Sequence, residues 1–284
     1  MDHIRQAIER AKESHAVNAQ LKPQTAQPAA VAAAARPPSS NEVKLNEAHL
    51  ESKRVVSHDI ADPRSKSFDM LRTQVLQTMD LKSWQLIGIT SPTAGCGKTM
   101  VAANLALSIA RQPHRSVLLA DLDLQKPQVA NTLGLNCEEG VLGVLEGRTT
   151  LQNALVQAHI GNERLTVLPC ARATLKSSAW MASQAMTALL QEIKRDFRAS
   201  TVILDLPPVL TSDDVISILP QIDCMLFVAA AGTSTVAQIK ECNKHLQAAS
   251  IVRVVLNKAA DTTTSYYSRY YGEDRKSDKR RAAR

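Results

Sequence analysis

Lys98 and Thr99 close the run SPTAGCGKT, which stands between an apolar stretch, WQLIGIT, and the helical pattern KTMVAANLALSIARQ. A loop that opens a helix points successive backbone N–H groups at an anion, and the helix dipole adds to the attraction. Gly95 and Gly97 let the backbone come close to a phosphate because no Cβ intervenes. Lys98 offers a charge to the terminal phosphates, and the Thr99 hydroxyl is a ligand for Mg²⁺. Pro92 stands where the usual pattern has its first glycine, but the strand–loop–helix context is the one such a loop requires. The segment expected to hold a nucleotide is therefore Thr93, Ala94, Gly95, Cys96, Gly97, Lys98, Thr99 and Met100. A magnesium ion on those phosphates needs carboxylates, and in an open α/β sheet they belong at strand C-termini. The run VLLADLDLQKP ends a strand at Asp121 and carries Asp123 two residues on, and TVILDLPP ends another at Asp205. Any one of these could be a helix N-cap or turn residue. Three of them downstream of a phosphate loop point to a Mg·nucleotide site.

The elements that must position these groups follow from periodicity. Short apolar runs rich in β-branched residues occur at 85–91, 116–121, 164–170, 200–206, 224–231 and 251–258. Between them lie helical patterns such as SQAMTALLQEIKRDF and TSTVAQIKECNKHLQAA. Continuous apolar strands alternating with helices imply a doubly wound α/β fold, a mostly parallel sheet covered on both faces. A helix with Phe68, Leu71, Val75 and Met79 on one face precedes the first of these strands. Ahead of it, residues 1–15 read as a short amphipathic helix. Residues 16–40 hold nine Ala and four Pro, so 16–60 is expected to be a disordered linker. The organisation expected is thus a helix at 1–15, a linker at 16–60, a nucleotide-binding domain at 61–260 and a flexible tail at 261–284.

Composition narrows the class. Of 284 residues, 44% are hydrophobic, which supports a sizeable core. A net charge of +7 suits an anionic partner without choosing one. Five scattered cysteines without a Cys-x-x-Cys argue against a disulfide framework or zinc site and for a reducing cytoplasm. Charges throughout MDHIRQAIERAKESH exclude a secretory signal, and no stretch approaches the ~18 apolar residues of a membrane span. All four tyrosines, Tyr266, Tyr267, Tyr270 and Tyr271, cluster in a tail of Thr, Ser, Arg and Gly, a setting that suits presentation better than packing. Acidic residues interrupt the basic run that follows, which speaks against a nucleic-acid partner. Cys96, at a helix N-terminus, is either a thiol of lowered pKa open to oxidation or a small residue filling a tight loop.

The phosphate loop, ADLDLQKP, ILDLPP and the tyrosine tail together resemble the bacterial tyrosine kinases of capsule and exopolysaccharide synthesis, the BY-kinases, relatives of the MinD/ParA-like P-loop ATPases. The likeness covers about 55–271 and includes EEGVLGVLEG at 138–147 and VVLNK at 254–258. It implies an ATP- and Mg²⁺-dependent autokinase whose acceptors are the four tail tyrosines. Lys98 and Thr99 would bind phosphate and metal, Asp123 and Asp205 the metal and its waters, and Asp121 would orient or deprotonate the incoming phenol. Asn257 would be a contact to the base, or a turn residue. The partners implied are further copies of the chain and a membrane-anchored polysaccharide co-polymerase whose cytoplasmic tail completes the site. That adaptor would recruit a cytoplasmic protein to the inner face of the membrane. An ATPase switch without kinase activity is the alternative. Departures bear on it: Thr93 replaces the signature lysine of the partitioning ATPases, Gln125 stands where an arginine is common, and Lys66 and Asp69 alter an assembly motif in which only Arg72 matches.

Overall fold

The computed structural model describes residues 42–259. The helix expected at 1–15, the linker as far as residue 41, and the tail with its four tyrosines lie outside the described residues. Strand β1 (Glu42–Lys44) and helix α1 (Glu47–Ser52) lead into α2 (Ser65–Lys82), β2 (Leu86–Thr90) and α3 (Lys98–Ala110). Then come β3 (Ser116–Asp121), the short helices α4 (Val129–Leu133), α5 (Val141–Leu145) and α6 (Leu151–Ala154), and the pair β4 (Val156–Ile160) and β5 (Glu163–Leu168). Helices α7 (Ser177–Met181) and α8 (Gln184–Asp196) precede β6 (Ser200–Asp205), α9 (Asp214–Ile218), β7 (Cys224–Ala230), α10 (Val236–His245) and β8 (Ile251–Asn257).

The eight strands form one sheet in the order β1-β4-β5-β3-β6-β2-β7-β8, parallel except where β4 and β5 make an antiparallel hairpin. The central strands are buried along nearly their whole length, as expected of strands covered on both faces. One core, with Val75, Met79, Leu105, Ile109 and Ile203, lies under α2 and α3. The other, with Leu118, Leu189, Ile193, Met225 and Phe227, lies under α8 and α10. Phe68 and Leu71 pack partly buried against the first, so the helix face read from the sequence is the face used.

Two findings correct the sequence reading. Residues 42–60, expected to be part of the linker, carry structure: β1 adds to the sheet beside β4, and Asn46 caps α1 by accepting from the His49 amide. Three-residue β1 is too short for periodicity to register, and its polar flanks give no strand signal. The strand β4 was also not foreseen. Its alternation of buried Val156, Ala158 and Ile160 with half-buried Gln157 and His159 is short and is masked by the preceding run of helix formers.

Asn104 joins the N-terminal segment to the helix behind the phosphate loop. It is fully buried in α3, its Oδ1 accepting from the amides of Val56 (2.8 Å) and Ser57 (3.0 Å) while Nδ2 donates to the carbonyls of Arg54 and Met100. Nearby, Asp69 is drawn inward by Arg111, Arg72 and the Ser108 hydroxyl. Burial alone would push its carboxyl up, but the Ser108 hydrogen bond and the Arg111 charge outweigh that and hold it below the usual range. Replacing Asn104 with Ala strands two buried amides, and the expected cost is about 2–4 kcal/mol of stability. Urea unfolding reads it as a lowered midpoint at unchanged slope.

Candidate nucleotide site

Parallel register brings the acidic groups together. Asp121 at the end of β3 pairs in the sheet with Asp205 at the end of β6, and Asp205 is also the register partner of Ile89 at the end of β2. The phosphate loop therefore leaves the sheet beside two carboxylates. It is pinned as it leaves: the Thr90 hydroxyl donates to the Pro207 carbonyl at 2.7 Å and the Ser91 hydroxyl to the Thr93 carbonyl at 2.9 Å. Ala94 and Gly95 form the exposed tip. Gly95 (φ +80°) and Gly97 (φ +91°) are both left-handed, and at Gly97 a Cβ would meet Asn257 Nδ2 at 2.2 Å.

Asn257 has a partner within the protein. From the end of β8 its Nδ2 donates to the Cys96 carbonyl at 2.8 Å, bracing the loop that Gly97 allows to pass close by. Cys96 is wholly buried, its Sγ 3.5 Å from the Ser234 hydroxyl and 3.7 Å from that of Thr93. Burial pushes the thiol up, but these hydrogen bonds outweigh it and the net shift is downward. The sequence reading missed Ser234, whose hydroxyl also accepts from the Ala230 amide; nothing in its spacing marks it. Met100 turns its sulfur towards Asn104 and packs, partly buried, against the core.

Lys98 and Thr99 point into the acidic cluster. Lys98 Nζ donates to Asp123 Oδ2 at 2.7 Å and lies 3.6 Å from Asp205 Oδ1, while the Thr99 hydroxyl donates to Asp205 Oδ2 at 2.6 Å. Lys98 is 8% exposed and Asp123 4%, and Asp121 and Asp205 are sealed. Burial would lower the lysine pKa, but the charges of Asp205 and Asp123 outweigh it and raise it. Both sealed carboxyls are pushed above the ordinary range by burial; the Asp205 charge adds to the effect on Asp121, while Lys98 and Thr99 restrain it at Asp205.

Asp205 Oδ1 has no hydrogen-bond partner, an orphaned buried oxygen beside Asp123 and the Thr99 hydroxyl. Three carboxylates against one lysine leave an excess of negative charge that a divalent cation would offset. Among the described residues no group of three or more His, Cys, Asp or Glu is placed to form a metal cage. Asp121 does a different job in this state. Its Oδ2 accepts from the amides of Gln128 and Val129, both at 2.9 Å, and so ties down the turn that carries Asp123. Gln125 reaches Ser177 Oγ (2.9 Å) and Asp214 Oδ2 (3.3 Å), fastening the same turn to α7 and α9.

Residues 87–276 match the CobQ/CobB/MinD/ParA nucleotide binding domain family. Tyrosine-protein kinase YwqD of Bacillus subtilis is 30% identical over 216 residues, 73% of this chain and 86% of YwqD. The chain belongs to the bacterial tyrosine-kinase family. EpsB of Ralstonia nicotianae is also 30% identical, over 213 residues, and the chain spans only 28% of its length. Among solved structures, the chimerical protein CapA2B2 superposes with a TM-score of 0.67 at 25% identity, covering 79% of this chain and 95% of that one. The kinase domain of the Escherichia coli tyrosine kinase ETK shares the fold, with a TM-score of 0.66 over 81% of this chain and 94% of that one. Among the described residues no helix is long and apolar enough to cross a membrane.

The raised pKa of Asp205 has a sign that can be tested. Between the unfolded and folded values the native state binds more protons, so stability falls as pH rises through that window. Asp205→Asn is therefore expected to raise the melting temperature at pH 7.5, and the gain is expected to shrink as pH drops towards 4, measured by thermal denaturation without nucleotide.

Proposed function

We propose that the protein is an ATP-dependent protein-tyrosine autokinase that transfers the γ-phosphate to Tyr266, Tyr267, Tyr270 and Tyr271 and so regulates exopolysaccharide or capsule synthesis and export. The observation that carries this reading is the meeting of Lys98, Thr99, Asp123 and Asp205 at the mouth of the phosphate loop. Lys98, now paired with Asp123, would turn to the β- and γ-phosphates while the amides of residues 94–99 hold them. Thr99, Asp123 and Asp205 would hold Mg²⁺, which when bound neutralises charge on the phosphates. Phosphoryl transfer has a loose transition state, so positioning and charge neutralisation supply most of the catalysis. The phenol oxygen forms its bond to the γ-phosphorus, the bond to the bridging oxygen breaks, ADP departs, and the phenol proton passes to a carboxylate. Asp121 is the candidate base by its place at the end of β3, in register with Asp205 and two residues before Asp123.

The family likeness supports further copies of the chain and a membrane-anchored polysaccharide co-polymerase as partners, the latter recruiting this chain to the inner face of the membrane through its cytoplasmic tail. The second reading is an ATPase switch that releases phosphate to water. It is favoured by one observation: Asp121 is sealed, with Oδ2 already engaged by two amides, and must be uncovered before it can take a phenol proton.

The two readings separate on the fate of the phosphate. Incubation with Mg·ATP, alone and with candidate adaptor tails, followed by mass spectrometry is expected to find phosphate on the tail tyrosines. Lys98→Met is expected to abolish it, a loss of about 10³-fold or more as befits a group that contacts the transferring phosphate. Inorganic phosphate released over unmodified tyrosines would establish the switch instead.

A further inference from the structure

Asp121 is closed in by its own turn. Its Oδ2 accepts from the amides of Gln128 and Val129, its Oδ1 from the amide of Asp123 at 3.3 Å, and no part of it is exposed. Gln128 and Val129 open α4, so the seal lasts only while α4 stays in place. Val129 and Leu133 root α4 in the core under α2 and α3. Its other side borders an open depression of about 820 Å³, walled by the segments that follow β3 and β5 and lined here by Gln128, Ala130 and Asn131. The sheet order puts β3 and β5 on the side of β6 away from β2, so this depression and the phosphate loop flank the carboxylates from opposite sides. A helix of five residues has little stability of its own, and its neighbours decide where it sits.

One such neighbour is α1, in the segment expected from the sequence to be linker. His49 Nε2 donates to the Asn131 carbonyl at 2.9 Å, and a carbonyl partner requires the ring to carry its proton on that nitrogen. Lys53 Nζ donates to Asn131 Oδ1 at 3.3 Å. Gly134 ends α4 in the left-handed region (φ +71°), and a Cβ there would meet the His49 ring at 2.9 Å, so the ring closes directly on the end of the helix. The segment carrying α1 is fastened on both sides. Before it, β1 pairs with β4 and the Leu45 amide donates to the His159 carbonyl at 2.8 Å. After it, the Val56 and Ser57 amides reach Asn104, and Arg111 Nη1 donates to the Ser57 carbonyl at 2.7 Å. Residues 42–57 therefore form a strap between the sheet edge and the helix behind the phosphate loop. Its middle bears on the helix that seals Asp121.

We propose that α1 is a latch on Asp121: His49 and Lys53 hold α4, the α4 amides hold the carboxylate sealed, and movement of α4 towards the depression exposes it to an incoming phenol. His49 and Lys53 are positioning residues. They touch no substrate and act through the amides of Gln128 and Val129. While the latch is closed Asp121 is out of reach of a phenol, because it has no exposed surface. The balance between closed and open forms is set by few contacts, and loss of the His49 hydrogen bond alone is expected to raise the open population about tenfold. The proposal rests on the kinase reading for the step that Asp121 performs, and on the contacts of α1 and α4 for the latch itself.

The latch is read first without catalysis, by hydrogen exchange at the Gln128 and Val129 amides of the full-length protein without nucleotide. His49→Ala is expected to speed exchange there about tenfold and Lys53→Ala about threefold, while the amides of β6 keep their protection. His49→Gln retains a donor in place of Nε2 and is expected to exchange as the parent does. With Mg·ATP and no adaptor tail, His49→Ala is then expected to raise kcat for tyrosine phosphorylation about tenfold at unchanged KM for ATP, and His49→Gln to restore the parent value. A contact that served stability alone would lower activity when removed. Parent-like exchange in His49→Ala, exchange in His49→Gln as fast as in His49→Ala, or an unchanged or lowered kcat in an alanine variant of a chain that phosphorylates its tyrosines would each overturn the proposal. Should His49→Ala fail to fold, Lys53→Ala decides on the same readings. Faster exchange in His49→Ala or Lys53→Ala of a chain that releases inorganic phosphate over unmodified tyrosines would support the latch and overturn the kinase reading alone.

Discussion

Burying Lys98 against Asp123 and Asp205 is the constraint around which the rest of this molecule is arranged. An ammonium and several carboxylates removed from water are costly unless each is paired and held in good geometry. Here the lysine is paired, but the cluster keeps excess negative charge, and Oδ1 of Asp205 accepts no hydrogen bond, with Lys98 Nζ at 3.6 Å. Such a site is incomplete by its own electrostatics. It holds an acidic corner and the nucleotide-family loop in contact, at some cost to the stability of the fold.

Rigid neighbours keep that cluster from collapsing or drifting apart. The strands that deliver Asp121 and Asp205 pair directly, so their carboxylates are set side by side by backbone hydrogen bonds and not by loop geometry. The Asp123 turn is held by two amides on Asp121 and by Gln125 on α7 and α9. On the other side Asn257 braces the phosphate loop through the Cys96 carbonyl, and Asn104 joins the helix behind it to residues 54–57. Polar side chains that are buried and fully used in this way fix one arrangement, because any alternative leaves a donor or acceptor stranded.

Two departures from the family pattern acquire a physical meaning. Asp69 serves the fold internally, bound to Arg111, Arg72 and Ser108, so an assembly relying on that position would compete with contacts inside α2 and α3. Gln125 lacks the charge of an arginine, yet it spans from the acidic turn to Ser177 and Asp214 and keeps the same segments in register. The exposed cation beside it is Lys126, which lines the depression walled by the segments after β3 and β5.

The strands β2, β3, β5, β6, β7 and β8, the long helices α3, α8 and α10 and the membership of Lys98, Thr99, Asp121, Asp123 and Asp205 in one site were legible in the amino-acid order. Apolar runs, glycine-rich turns and acidic residues at strand ends are local signals, and each reports a local cause: burial, backbone freedom, or the need for charge near phosphate. Strands β1 and β4 were not legible, since both are short and β1 is held to the sheet only by a partner distant in sequence. Nor was the division of labour among the aspartates. Only the sheet order placed Asp205 between Lys98 and Asp121, put Asn257 against the loop at Gly97, and opened a depression on the far side of Asp123. These depend on which strands pair and in what register, and pairing is decided by the packing of the whole sheet.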